Sequence, residues 1–415
     1  MNATELVGWT QRIIDACGAR PAGSDSCRKA AELIASDLRL SCDRTDLQSF
    51  VCRPLSFIWH RPLLTPIALA AAVCLFGGHF LTAALALFVV AGISAIEFGR
   101  YRELTDGLFP QRRCTNVVGI IEPKGPAVRQ IVVSAHHDSA YEFLFLRMSK
   151  LVYILAVAVY GVAVYLVPLV AVALAFAVMW HIAVPVTLAH GLAWFTGLGA
   201  VVGLLFVLPR AVPGAGDNLI STAMLVGLAA AIRQELTKDA DALHGTRLIV
   251  ASFDAEEAGL RGSRAFVRDN RDLLKALPTV NINLDSFFHV DSLSALLSDL
   301  NGFVQLSKPL ADLMAQEAKA EHLPFSTRQM QYGFGATDAA EFAKIGIPAT
   351  TLISMSPNPF HPKHLVYHTR NDIPENLEHE AVAAGATLTL RMVKRLGRDD
   401  AAHAFGPGAD LPSSL

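Results

Sequence analysis

Carboxylates and imidazoles recur along this chain in short clusters, each placed next to an apolar run. His136-His137-Asp138-Ser139 follows RQIVVSA, Asp254-Ala255-Glu256-Glu257 follows RLIVASF, and Asp285-Ser286 closes TVNINLD. Asp217 stands in PGAGDN ahead of a helical pattern, and His368 lies in YHTRND beyond the run IPATTLIS. A donor set of oxygen and nitrogen without thiols suits zinc in a hydrolytic centre better than structural zinc, which favours cysteine. Singly, each cluster has an ordinary explanation: a Glu-Glu pair is usually a solvated surface, and an Asp before a helix is usually its N-cap. Their recurrence at successive strand ends is what points to a metal site.

The elements that must position these groups follow from hydrophobic periodicity. Strands are expected at 129–135, 247–253, 279–285 and 347–354, and helices at about 218–236, 263–276, 308–320, 337–345 and 375–396. Such alternation is the signature of an α/β fold with a mostly parallel sheet, and such sheets bind ligands outside the C-terminal ends of their strands. Beyond 398 the chain turns polar around Gly406-Pro407-Gly408, so 399–415 is expected to be a flexible tail.

Only 17% of the 415 residues are charged, well below the roughly 25% of a soluble domain. Two stretches, 63–96 and 151–209, hold no Asp, Glu, Lys or Arg, and outside them the charge content is ordinary. The first reaches the length of a transmembrane helical hairpin with flanking residues such as Phe57 to Trp59 and Phe98, and the second is long enough for a hairpin or, by length, three shorter spans. Gly77-Gly78-His79 would turn the first and the Trp180–His190 region the second, with Pro168 kinking a helix. The expected organisation is a discontinuous catalytic domain (1–56, 100–146 and 210–398) interrupted by hairpins at 57–99 and 147–209, about four transmembrane helices in all. Arg53, Arg61, Arg100, Arg102, Arg112, Arg113, Arg147, Lys150 and Arg210 flank the hairpins on the hydrophilic side, while the turns hold no Lys or Arg. The positive-inside rule then puts the catalytic domain on the cytoplasmic face. A net charge of −2 argues against nucleic acid as a partner. The six cysteines form no CxxC pair and read as free thiols, and the N-terminus reads as lacking a cleavable signal peptide.

The series GARPAGSD, SAHHDSA, PGAGDN, FDAEEAGLRGS, NLDS and YHTRND, in that order, resembles the co-catalytic dizinc peptidases of metallopeptidase family twenty-eight. These are typified by bacterial leucyl aminopeptidases; glutaminyl cyclases and the transferrin receptor are distant relatives. The resemblance runs from about Arg20 to His368. It implies a zinc-exopeptidase α/β/α sandwich and two zinc ions per chain. One ion would take His136, Asp217 and Asp285, the other Asp217, Glu257 and His368, with Asp217 bridging. Asp138 would hold the other ring nitrogen of His136, Glu256 would be the general base, and His137 would be structural. Tyr332, Thr337 and Asp338 fall where relatives approach substrate. His361 and His364, in FHPKHLVYH, are either substrate contacts or part of a solvated loop. In GATDAAEF this chain has Ala339 where many relatives have His.

The implied function is a membrane-anchored aminopeptidase acting on peptides, in a bacterial-type inner membrane. A glutaminyl cyclase-like acyltransferase working with one zinc and a carboxypeptidase-type relative are the alternatives. If His136 and Asp217 share one metal, the long insertion between them must return to the side it left, so it crosses an even number of times. That position would set the metal site near the bilayer, with an expected preference for apolar or membrane-derived peptides. The oligomeric state is left open.

Overall fold

In the computed structural model of the protein, the inner strands are buried on both faces, and side-chain alternation decides which layer each residue serves. The structure describes residues 1–356, 358, 361 and 366–398; the expected tail 399–415 and the candidate His364 lie outside them. Contacts divide the chain into two units. One comprises Met1–Pro54, Gln111–Ala140 and Ala211–Leu415, the other Leu55–Pro110 and Tyr141–Arg210.

The strands are β1 (Arg44–Cys52), β2 (Arg112–Ile121), β3 (Arg129–His136), β4 (Tyr141–Phe143), β5 (Val207–Ala211), β6 (Thr246–Phe253), β7 (Thr279–Phe287), β8 (Leu293–Leu296), β9 (Ser298–Asp299), β10 (Val304–Gln305), β11 (Ser326–Arg328) and β12 (Ala349–Ser354). In the first unit, eight of them form one sheet in the order β1-β2-β6-β3-β7-β12-β8-β11. The inner strands β6, β3, β7 and β12 run parallel, whereas β2 is antiparallel to both β1 and β6, and β8 is antiparallel to β12. The result is the expected mixed α/β fold with a large, mostly parallel central sheet.

The two-residue period of a strand splits its side chains between two cores. On β3, Ile131, Val133 and Ala135 join a core completed by helices Ala3–Cys17, Asp25–Leu38, Ile220–Lys238, Lys308–Ala320 and His379–Leu396. Val132 points the other way, with Ile249 and Ala251 of β6, onto helices Arg261–Asp269, Arg271–Lys275 and Ala339–Lys344. There Phe253, Phe266 and Phe342 form a ring cluster with centroids 5.4–6.4 Å apart. Each such buried aromatic or branched side chain contributes about 1.5–3 kcal/mol.

The structure departs from expectation in places. The helix expected over 263–276 is two, broken at Asn270, whose amide caps back onto Phe266 O at 2.9 Å. Helices Ala3–Cys17 and Asp25–Leu38 are additional; they are started by the side chains of Asn2 and Ser24, each accepting a backbone N–H. Strands β1 and β2 are additional as well.

In the second unit, helices Pro54–Phe76 and Phe80–Ser94 are joined by a turn at Gly77–His79, and the latter continues as a π-turn over Ala95–Gly99. The span from Lys150 to Met179 also carries a π-turn, Val162–Leu166, just before Pro168; the wider turn absorbs the amide hydrogen that proline lacks. The chain then turns at 180–185 and returns as Val186–Leu205, so His190 lies inside this last helix. Small side chains such as Ala71, Ala83, Ala171 and Ala193 let these helices approach closely. A Cβ on Gly199 would stand 2.3 Å from that of Ala163. Large apolar side chains such as Val73, Leu81, Leu169 and Trp194 face outward.

Among the described residues, five helices are long and apolar enough to cross a membrane: these four and Ala215–Lys238. The fifth is 78% buried and belongs to the sheet unit's core.

Candidate metal centre

Four parallel strands bring the predicted residues to one crevice. His136 ends β3, Glu256 and Glu257 follow β6, Asp285 lies near the end of β7, and His368 comes after β12. Asp217 arrives from the turn that precedes helix Ile220–Lys238. Its backbone is non-helical (φ −123°, ψ 89°), and its carboxylate faces the two imidazoles instead of capping the helix. Asp217 Oδ1 lies 3.3 Å from His136 Nε2 and Oδ2 lies 2.9 Å from His368 Nε2. Glu257 Oε1 is 3.1 Å from the same His368 nitrogen, and Glu256 Oε2 is 3.7 Å from His136 Nε2.

Besides the trio His136/Glu256/Glu257, two donor trios result, His136/Asp217/Asp285 and Asp217/Glu257/His368, each with its ligand atoms within 4.8 Å of one another. Asp217 belongs to both of these. On the far side of the imidazole, Asp138 Oδ1 lies 3.3 Å from His136 Nδ1. The Asp138 oxygens also accept the backbone N–H groups of Glu256 and Glu257, each at 3.2 Å. One buried carboxylate thus orients the ring on β3 and the loop after β6.

Three residues that sequence reasoning did not single out hold this arrangement, two of them, Arg20 and Asp372, fully buried. Arg20 donates from Nε to His137 O (2.8 Å) and from its terminal nitrogens to Gly18 O (2.9 Å) and Gly214 O (3.1 Å), tying the His136 loop to the Asp217 loop. Asp372 accepts from Gly216 N (2.6 Å) and Asp217 N (3.1 Å). The ring of Tyr367 stacks on His368 at 3.8 Å. Arg20 and Asp372 stand inside GARPAGSD and YHTRND, so the signal was present, but their partners are remote in sequence. Close approach matters too: a Cβ on Gly262 would stand 2.0 Å from Asp254 O, at the base of the Glu256 loop.

Backbone conformation is also unusual here. Ala255, Ser286 and His368 all adopt positive φ, at 61°, 53° and 51°, a left-handed geometry that non-glycine residues rarely take.

The electrostatics show that the cluster wants a cation. Burial, reinforced by Asp338, Glu257 and Asp285 against the pull of His136, pushes Glu256 well above the usual carboxylate range. Burial does the same to Asp285 and lifts Glu257 to about 7. Burial opposes the charge on His368, yet Glu257 and Asp217 outweigh it and raise the ring to about 10. Asp217 is held below the usual range despite its burial, by the two histidines. The metal-free cluster therefore retains protons that a dication would displace. The buried Nε2 of His136 and Oε1 of Glu257 lack hydrogen-bond partners, as ligand atoms awaiting an ion would. Carboxylate and imidazole donors of this kind fit zinc.

The other sequence candidates scatter. Thr337 is buried and bonded to Asp299 through its N–H (2.8 Å) and hydroxyl (2.5 Å), beside a pocket that Asp285 also lines. Asp338 is fully buried, and its charge acts on His136 and Glu256. Tyr332 is 51% exposed, edge-on to Phe303 at 6.2 Å. His361 stacks on His289 at 5.3 Å and lies 3.4 Å from Asp291. His137, with Cys27 and Asp254, forms a separate buried trio. His137 Nδ1 bonds Ser252 Oγ at 2.9 Å while its buried Nε2 has no hydrogen-bond partner, and Asp254 accepts from Gly23 N (3.2 Å) and Thr115 N (3.0 Å).

The fold and crevice together define the class, an α/β architecture shared with zinc exopeptidases. A zinc aminopeptidase of Bacillus subtilis is similar over 95% of this chain and 94% of its own, with 15% identity and a TM-score of 0.54. A Zn-dependent exopeptidase of Parabacteroides distasonis (94% and 97%, 12% identity, TM-score 0.55) and a glutaminyl cyclase of Fimbriiglobus ruber (95% and 95%, 13% identity, TM-score 0.53) are also similar. Within the sequence, residues 199–393 match the family described as Peptidase family M28. No curated protein matches the chain.

Proposed function

We propose that this protein is a membrane-anchored dizinc aminopeptidase of family M28. The observation that carries the reading is Asp217, whose two carboxylate oxygens face His136 on one side and His368 on the other. His136, Asp217 and Asp285 would hold one zinc, and Asp217, Glu257 and His368 a second. Zinc bound there supplies positive charge that polarises a carbonyl and lowers the pKa of water.

The chain's own residues do the rest. Asp138 fixes the tautomer of His136 through Nδ1. Glu256 is the general base: its carboxylate accepts a proton from the attacking water and returns it to the leaving amine. Burial raises its proton affinity, which suits a group that must both take and release a proton near neutral pH. Ser286 donates to Asp285 Oδ1 at 2.8 Å and steadies that ligand.

Helices Pro54–Phe76, Phe80–Gly99, Lys150–Met179 and Val186–Leu205 would be the membrane spans. Their outward apolar side chains support lipid contact, and the flanking arginines and lysine support a cytoplasmic catalytic domain. The test is metal stoichiometry on the zinc-equilibrated protein. Two zincs per chain, reduced in Asp217→Ala, is the expected result. One zinc per chain would favour the glutaminyl cyclase-like reading instead.

A further inference from the structure

Asp285 and Ser286 form part of the lining of a pocket whose walls include Leu296, Met330 and Ile353. Arg328 also lines it. This arginine ends β11, where parallel pairing with β8 sets Arg328 opposite Leu296, and its carbonyl accepts from Leu297 N at 2.8 Å. The edge of the sheet thus sets Arg328 in the lining of the pocket that a proposed zinc ligand borders.

Its charge is unanswered. Arg233, Arg247, Arg264 and Arg391 each reach a carboxylate within 3.2 Å. Among the described residues Arg328 has no such pair, and its Nε is buried without a hydrogen-bond partner. Burial lowers it only to about 10, so it stays charged at neutral pH. A partly desolvated cation without a counter-ion costs stability, and the fold keeps this one beside the metal centre. The single carboxylate in the lining, Asp285, belongs to a donor trio. No anion among the described residues completes Arg328, which leaves that place to the anionic group of a ligand.

We propose that Arg328 is a specificity-determining residue that receives a carboxylate of the peptide substrate. The inference rests on the peptidase reading and changes the expected substrate, from purely apolar to one with an apolar stem and an acidic end. A guanidinium pairs with a carboxylate through two parallel N–H···O bonds, and apolar walls strengthen the pair by excluding water. The carboxylate is either the acidic side chain of the N-terminal residue or the free C-terminus of a short peptide.

Two matched peptide pairs distinguish these sources. One pair begins with glutamate or glutamine and is amidated at its C-terminus; the other begins with leucine and ends in a free carboxylate or an amide. The zinc-loaded full-length protein should prefer the charged member of one pair by about tenfold in kcat/KM. Arg328→Met should bring that ratio near one, and Arg328→Lys should retain part of it. Calorimetric binding of the same peptides to Glu256→Gln, with and without Arg328→Met, reads the contact without turnover. Indifference to charge in both pairs, or a preference that survives Arg328→Met, overturns the proposal. Charge-selective binding without hydrolysis of any peptide would sustain Arg328 and reject the peptidase reading.

Discussion

At the residue scale, the site rests on carboxylates that act in pairs. Glu256 lies 3.7 Å from His136 Nε2 and shares a trio with His136 and Glu257, but it stands outside the two trios joined by Asp217, so its loss should spare the metal. Glu256→Gln is therefore expected to lower kcat by about 10²–10⁴-fold with zinc content unchanged, as measured by steady-state kinetics beside metal analysis. Asp138→Asn removes the negative charge beside His136 Nδ1 and one of the two oxygens that accept from Glu256 N and Glu257 N, and should weaken zinc binding by about 10–100-fold in a chelator competition. Protons compete for the same atoms. With Glu257 near 7 and His368 near 10 in the metal-free cluster, binding must expel protons, so zinc affinity should rise between pH 6 and 8. An affinity flat across that range would contradict the assignment. His136, Asp217, Glu257, Asp285 and His368 were legible in the sequence because each sits against an apolar run or a helix start. Arg20, Asp372 and Arg328 were not, because their meaning lies in partners that only the folded chain brings near, or in the lack of one.

Elements explain why the candidate ligands meet. The four parallel strands were readable from their apolar runs, and with them the end of the sheet at which the ligands gather. Strand β1 was not: RTDLQSFVC is half polar, as an outer strand with only Phe50 buried would be. Helix Asp25–Leu38 carries a Ser24 cap and buries Cys27, Ala30, Ala31 and Ile34, a legible period obscured by its low mean hydropathy. The junction between β6 and helix Arg261–Asp269 is the tightest point near the catalytic loop. Gly262→Ala places a methyl 2.0 Å from Asp254 O and should destabilise the sheet unit by about 1–3 kcal/mol, seen as a lower Tm. Activity of the folded fraction should fall as well, since Asp254 leads into Glu256. An unchanged Tm would contradict this account.

For the whole molecule, the proposed membrane anchoring rests on two apolar stretches that fold as helices long and apolar enough to cross a bilayer. The protein is expected to remain in the membrane pellet through high-salt and alkaline washes and to leave it only in detergent; release by salt alone would contradict the anchoring. The central claim is that this chain removes residues from the N-termini of peptides. Its most direct test is a mass-spectrometric time course of a mixed peptide library with the detergent-purified, zinc-loaded protein beside Glu256→Gln. Stepwise loss of N-terminal residues, absent in the variant, is the predicted result. An uncleaved library in the presence of folded protein carrying two zincs would contradict it.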